Sequence, residues 1–242
     1  MKGPPSARAP AAPLSLLLLL LGGCSGFFHS NTKPEQIYYL RAAAVTPAAD
    51  GAGASHTAVV TGSDIAPGRA PSVRVVRPLA SPGLDTAHIM LVQSDHRMNF
   101  YTGSRWPAAA PDMVEALIVE TLRGSLEWSS VEDSGSPFPS DYLLQVRVRR
   151  FEADYGTGSI PVVQVQFECI IGRREGREVL ATFAAASSAP AAANRLGDVV
   201  AAFEQATGSA LESLSQQAVQ AVRADTHRAA QNGASPLPSS SR

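Results

Sequence analysis

The stretch "PVVQVQFECIIG", residues 161–172, decides the fold. Val163, Val165, Phe167, Cys169 and Ile171 alternate with Gln164, Gln166 and Glu168. Period two over this length predicts a strand with one buried and one wet face, as antiparallel sheets carry. The preceding "DYLLQVRVRRFE" (141–152) has the same pattern. Leu144, Val146 and Val148 share one face, and Gln145, Arg147 and Arg149 the other. Phe151 breaks the parity, which predicts a bulge near Arg149-Arg150. After a turn at Arg173–Gly176, "REVLATFAA" (177–185) pairs back with Val179, Ala181 and Phe183 inward.

Upstream, "IYYLR" (37–41) reads as a first strand and "SVRVVRPL" (72–79) as another that ends at Pro78. "HIMLVQ" and "MNFYT" form a hairpin about Ser94–Arg97. The period then changes. Met113, Val114, Leu117, Ile118 and Thr121 recur at helical spacing, with Pro107 or Pro111 in the first turn and Gly124 placed to stop the helix. A second helix is expected from about Asn194 to Arg223. Its apolar stripe is Leu196, Val199, Val200, Phe203, Thr207, Ala210, Leu211, Leu214, Ala218 and Val222, with Gly208 in its middle. The order strands, helix, strands, helix predicts an α+β domain: a mainly antiparallel sheet with two main helices packed on one face.

The termini have a different composition. Lys2 and Arg8 precede an apolar run that ends at Leu21, and Gly22-Gly23 follow. A basic head, a short apolar core and a small-residue exit make residues 1–23 an export signal. A membrane-spanning helix needs about 20 apolar residues, more than this run supplies. Leu21-Gly22-Gly23-Cys24 resembles the lipobox of bacterial lipoproteins, which implies cleavage between Gly23 and Cys24 and diacylglycerol and fatty acyl chains on Cys24. Several chains give lasting attachment, since each buried CH₂ contributes about 0.8 kcal/mol. Ser25, where an aspartate favours inner-membrane retention in that class, implies the outer membrane, periplasmic face. Residues 24–35 then serve as lipidated N-terminus and tether, and 36–223 as a single domain. The domain carries an Ala/Gly/Pro-rich insert at about 42–70, and 224–242 is expected to be a disordered tail.

The remaining composition is sparing with chemistry. Without residues 1–23 the chain has 18 basic and 21 acidic residues, a net charge of −3 that does not suit a nucleic-acid binder. Cys169 alone remains as an unmodified thiol and lies on the apolar face of its strand, where cysteine acts as a small core hydrophobe. His29, His56, His88, His96 and His227 are scattered, with no metal-ligand spacing. "GAGAS" and "YGTGSIP" lack the strand-to-helix setting of a phosphate loop, and "TGSRW" lacks the second glycine of a nucleophile elbow. Asp85, Asp95 and Asp112 sit where carboxylates cap turns and helix starts. No catalytic residue, metal ligand or cofactor-binding residue is assigned, and the expectation is a protein that is not an enzyme. The Arg147, Arg149 and Arg150 face offers guanidinium groups to phospholipid head groups or, more commonly for such a face, to solvent. Trp106 fixes the entry to the first helix or meets a partner, and Tyr38 and Tyr39 lie near a membrane or partner.

The lipobox, "YYLR" (38–41), "PGLDTAHIML" (82–91), "RWP" (105–107) leading into a helix and the late "LGDVVAAFEQATGSALESLSQQAVQAV" (196–222) occur in one order. Together they resemble the ABC-type transport auxiliary lipoproteins, the PqiC-like family, over roughly residues 36–223. The resemblance implies a non-catalytic auxiliary or docking component of an MCE-type ABC transport system moving lipids across the cell envelope. Its implied partners are an MCE-domain protein and the ABC permease and ATPase. The competing reading is a structural or assembly lipoprotein that binds another outer-membrane component. The pattern leaves lipid identity, transport direction and oligomeric state open, a homo-oligomer included.

Overall fold

A computed structural model describes residue 3 and residues 34–42, 70–156 and 158–233. Two compact units divide the chain, Met1–Pro34 and Glu35–Arg242. The first, with Gly23 and Cys24, falls almost wholly outside the described residues, as does the insert apart from its two end residues.

The second unit is an α+β fold around a nine-stranded sheet. Its strands are β1 (Gln36–Ile37), β2 (Ser72–Val75), β3 (Leu79–Ala80), β4 (His88–Val92), β5 (Met98–Arg105), β6 (Ser130–Glu132), β7 (Tyr142–Asp154), β8 (Val162–Arg173) and β9 (Val179–Pro190). Helix α1 (Ala110–Gly124) follows β5, and α2 (Leu196–Gly233) follows β9.

Strand β7 is the spine. One edge pairs antiparallel with β8 along its whole length, and β8 pairs likewise with β9. The other edge is shared by three short strands in sequence order, all parallel to β7. Val73–Val75 lie on Tyr142–Leu144, Leu79–Ala80 on Arg147–Val148, and Leu91–Val92 on Ala153–Asp154. Two further parallel joins, β2 with β6 and β1 with β5, make the sheet mixed, while its long ladders are antiparallel. The segment 72–79 is therefore two strands rather than one. Pro78 removes a ladder donor between them, which divides the pairing there.

The expected bulge in β7 is present: Val148 faces Phe167 and Arg150 faces Gln166, leaving Arg149 as the extra residue. It returns Phe151 and Ala153 to the core side, where they are 1% and 0% exposed. A second irregularity departs from expectation. Ile171 pairs with Ala181 but Gly172 with Val179, so Leu180 is skipped and Val179 turns outward, 60% exposed rather than inward. The first strand is shorter than 37–41, because only Gln36–Ile37 pair with β5.

Leu144, Val146, Val163, Val165, Phe167, Cys169 and Ile171 share one buried face; α2 packs on it along β8 and β9, and α1 packs beside α2 against β2 and β6. Trp106, wholly buried, meets Phe203 of α2 edge-on at 5.2 Å and Phe151 of β7 at 6.0 Å. It fixes α2 to the sheet as well as leading into α1, and its burial excludes partner contact. Pro111 sits in the first turn of α1 as its missing N–H allows. Gly124 is the last helical residue, and the left-handed position beyond it falls on Leu126. Gly208 does not interrupt α2, which runs on through residues 224–233, so the first half of the expected disordered tail is helical.

Candidate interaction surface

The face of β7, β8 and β9 opposite the helices carries the side chains that the core parity turns outward. Arg149, set out by the bulge, pairs with Glu168 at 3.1 Å. Arg150 reaches the buried Glu152 at 2.7 Å and Asp154 at 2.9 Å. Two of the three arginines weighed for contact with phospholipid head groups or with solvent are thus held by carboxylates. Arg147 is exposed between Leu79 on one side and Glu168 on the other. The face is mixed in charge, not a basic stripe.

Toward the β8–β9 turn the same face deepens into a cleft of about 550 Å³. Leu143, Ile170 and Val179 give it apolar walls, Gln145 a polar one, and Arg174 and Arg177 stand at its rim. The turn is tight. Gly176 and Arg177 both take left-handed backbone, φ 71° and 53°, and Gly172 packs where a Cβ would lie 2.6 Å from the Glu178 carbonyl oxygen.

Arg173 stands at this corner and is not available to a ligand. Its guanidinium donates to both carboxylate oxygens of Asp225 at 2.8 and 2.6 Å, and to Glu178 at 3.2 Å. Asp225, 2% exposed, also accepts a hydrogen bond from the Tyr142 hydroxyl at 3.1 Å. The paired carboxylate holds the Arg173 guanidinium above its ordinary pKa. Burial first, and then the bond to Asp225, push the Tyr142 phenol up to about 12. A buried carboxylate with this many hydrogen bonds, paired to a partly exposed guanidinium, ties the last part of α2 to the ends of β7 and β8. The hydrophobic periodicity did not reveal this cluster because it ended the helix at Arg223. The available signal was that Asp225 sits three residues past Val222, on the same buried stripe.

The other singled-out residues have structural surroundings. Burial raises the Cys169 thiol to about 12, which leaves no thiolate near neutrality. His88 stacks on Phe100 at 4.2 Å, and His96 occupies the left-handed position of the β4–β5 turn. His227 is exposed on α2, whereas His29 and His56 fall outside the described residues. Asp95 accepts from the Arg97 backbone N–H, and Asp112 pairs with Arg77 instead of capping α1. Tyr38 bonds Gln36, and Tyr39 takes the Arg41 guanidinium on its hydroxyl and ring. Among the described residues no three His, Cys, Asp or Glu side chains are grouped to hold a metal ion, and no helix is long and apolar enough to cross a membrane. What this surface offers chemically is paired and unpaired guanidinium groups, amides and an apolar cleft, which suits contact with a partner.

Comparison with known proteins adds to this geometry. A family model described as the ABC-type transport auxiliary lipoprotein component matches residues 55–218. A crystallised protein of Xanthomonas campestris shares 26% identity at a TM-score of 0.62, over 69% of this chain and 94% of its own. An uncharacterised crystallised protein at 12% identity superposes at 0.56, over 76% of this chain and 99% of its own, and shows the fold alone. No curated protein matches the sequence.

Proposed function

Because this chain belongs to the family of ABC-type transport auxiliary lipoprotein components, we propose that it is the non-catalytic docking part of an MCE-type ABC system that moves lipids across the cell envelope. Cys24 carries the acyl anchor after cleavage behind Gly23, and holds the domain at the periplasmic face of the outer membrane. Residues 24–35 are the tether. Tethering raises the local concentration of the domain at the membrane where the conduit must end. The partners are an MCE-domain protein and the ABC permease and ATPase, and ATP is hydrolysed by the ATPase.

The family match carries this reading, and the bare sheet face supports it. Among the described residues no helix lies on the outer side of the longest strands, and a cleft of about 550 Å³ opens at one end of it. Acyl chains cross an aqueous compartment only when shielded, so a conduit must be met by a protein surface at its membrane end.

The test is a pull-down of the full-length protein from gently solubilised envelopes, with co-purifying proteins identified by mass spectrometry and Cys24→Ala as the control. Recovery of an MCE protein or ABC permease, reduced in Cys24→Ala, is the expected result. Recovery of porins or assembly factors alone would replace this reading with that of a structural lipoprotein.

A further inference from the structure

The cleft beside the β8–β9 turn owes its depth to one residue. On the outer face the register sets Leu143 of β7, Gly172 of β8 and Val179 of β9 side by side. The middle position has no side chain, so a trough opens between Leu143 and Val179 with backbone as its floor. Glycine is required there, because an added Cβ would lie 2.6 Å from the Glu178 carbonyl oxygen. Val179 serves as a wall only because the skipped Leu180 turns it outward.

Along β8 the trough changes character. Ile170, 38% exposed, lies in the next row on the apolar side. Arg174 lines the cleft at the other end, roughly 13 Å away along the strand direction, and Arg177 joins it. Two backbone bonds fix this basic end. The Arg173 N–H donates to the Glu178 carbonyl at 2.8 Å, and the Arg174 N–H to the Asp141 carbonyl at 2.9 Å.

The acidic groups nearby are committed elsewhere. Arg173 takes both Glu178 and Asp225, and Glu175 lines the neighbouring hollow rather than this one. Among the described residues neither Arg174 nor Arg177 has a carboxylate within ion-pair distance.

An apolar trough with spare guanidinium groups at one end selects its ligand. The backbone beneath it is already paired in the ladders. A peptide lying there would find few partners for its own N–H and C=O groups, whereas an alkyl chain has none to satisfy. Paired guanidinium groups suit a phosphate monoester, which carries about two negative charges and three acceptor oxygens. The volume of about 550 Å³ is that of a small-molecule site.

We infer that this trough binds a single-chain lipid phosphate, with the chain between Leu143, Ile170 and Val179 and the phosphate on Arg174 and Arg177. The inference deepens the docking reading, on which it rests for the supply of lipid, by giving the bare face a ligand of its own.

The experiment uses the full-length protein anchored in phosphatidylcholine nanodiscs, and dodecyl phosphate with a photoreactive diazirine at its tail. Labelled residues are read by mass spectrometry after irradiation. Labelling around Ile170 and Val179 is expected, suppressed by unlabelled lysophosphatidate and not by dodecyl glucoside. Arg174→Gln/Arg177→Gln should lower it about tenfold. Val179→Gln, at an exposed position, should lower it too, and circular dichroism checks the fold of each variant. Labelling confined to other segments, equal suppression by dodecyl glucoside, or full labelling of the double-arginine variant would overturn the site. The envelope pull-down separates the two readings. No labelling in a protein that recovers transporter components removes the trough alone, and labelling in one that recovers none keeps the trough and removes the docking role.

Discussion

The two faces of β7 and β8 are built from alternating residues of the same strands, yet they obey different rules. On the inner face Val146, Val163, Val165, Phe167, Cys169 and Ile171 are all less than 5% exposed, and α2 packs along β8 and β9 on that side. On the outer face Gln145, Arg147, Arg149 and Glu168 are exposed, and Ile170 is 38% exposed with no helix above it among the described residues. Hydrophobic burial makes the inner face unforgiving, because a lost methylene leaves a cavity that neighbours fill only in part. The outer face exchanges water for water and can vary with its partner.

That contrast is open to disruption by substitution. The largest effect is expected from Trp106→Ala, which removes the ring packed against both Phe151 and Phe203 and should cost about 3–5 kcal/mol in urea unfolding. A cost near zero would mean that the aromatic contacts do not hold α2 to the sheet. Next comes Asp225→Ala, which removes the acceptor of the Tyr142 hydroxyl and leaves Arg173 only its bond to Glu178. About 2 kcal/mol is expected, since Arg173 is partly exposed and can recover some hydration.

The same cluster predicts a dependence on pH. The folded Tyr142 phenol titrates near 12 against an ordinary value of 10. Its contribution is complete below pH 10 and is lost as pH rises from 10 through 12. Tyr142→Phe should make that part of the stability curve less steep, and an unchanged curve would remove Tyr142 as a source of it. The buried Cys169 thiol, raised to about 12, adds loss above pH 9. It should stay unreactive to thiol reagents at pH 8 until the chain unfolds.

Gly172→Ala should cost about 1–2 kcal/mol, because its Cβ would press on the Glu178 carbonyl. The smallest effect belongs to the outer face. Arg147→Gln should change stability by less than about 0.5 kcal/mol, and a larger loss would show that this face is structural.

The residues that failed expectation failed for physical reasons. Period two identified the inward set of β7 and β8, and the parity break before Phe151 identified the bulge. No such signal marked Leu180, because alanines and a valine flank it and either phase reads as apolar. The parallel joins of β2, β3 and β4 along β7 were also illegible. Each strand is two to five residues long, too short for periodicity to state its partner. Basic residues in "QVRVRR" left both a head-group-binding and a solvated face open, and the structure adds Glu168 from the next strand and Glu152 and Asp154 from past the bulge. Their neutralising pairs exist only after folding. The Asp225 cluster was hidden likewise, since a lone aspartate beyond a helical stripe acquires meaning only when Arg173 is brought to it.

The most direct test of the docking account is photocrosslinking in intact cells from two positions of the full-length protein. One photoreactive residue replaces Gln145 on the bare face, and the other replaces Gln216 on the exposed side of α2. The account predicts a crosslink from position 145 to an MCE protein or ABC permease, and none to those components from position 216. Crosslinks to transporter components from 216 alone, or from 145 only to porins or assembly factors, would contradict it.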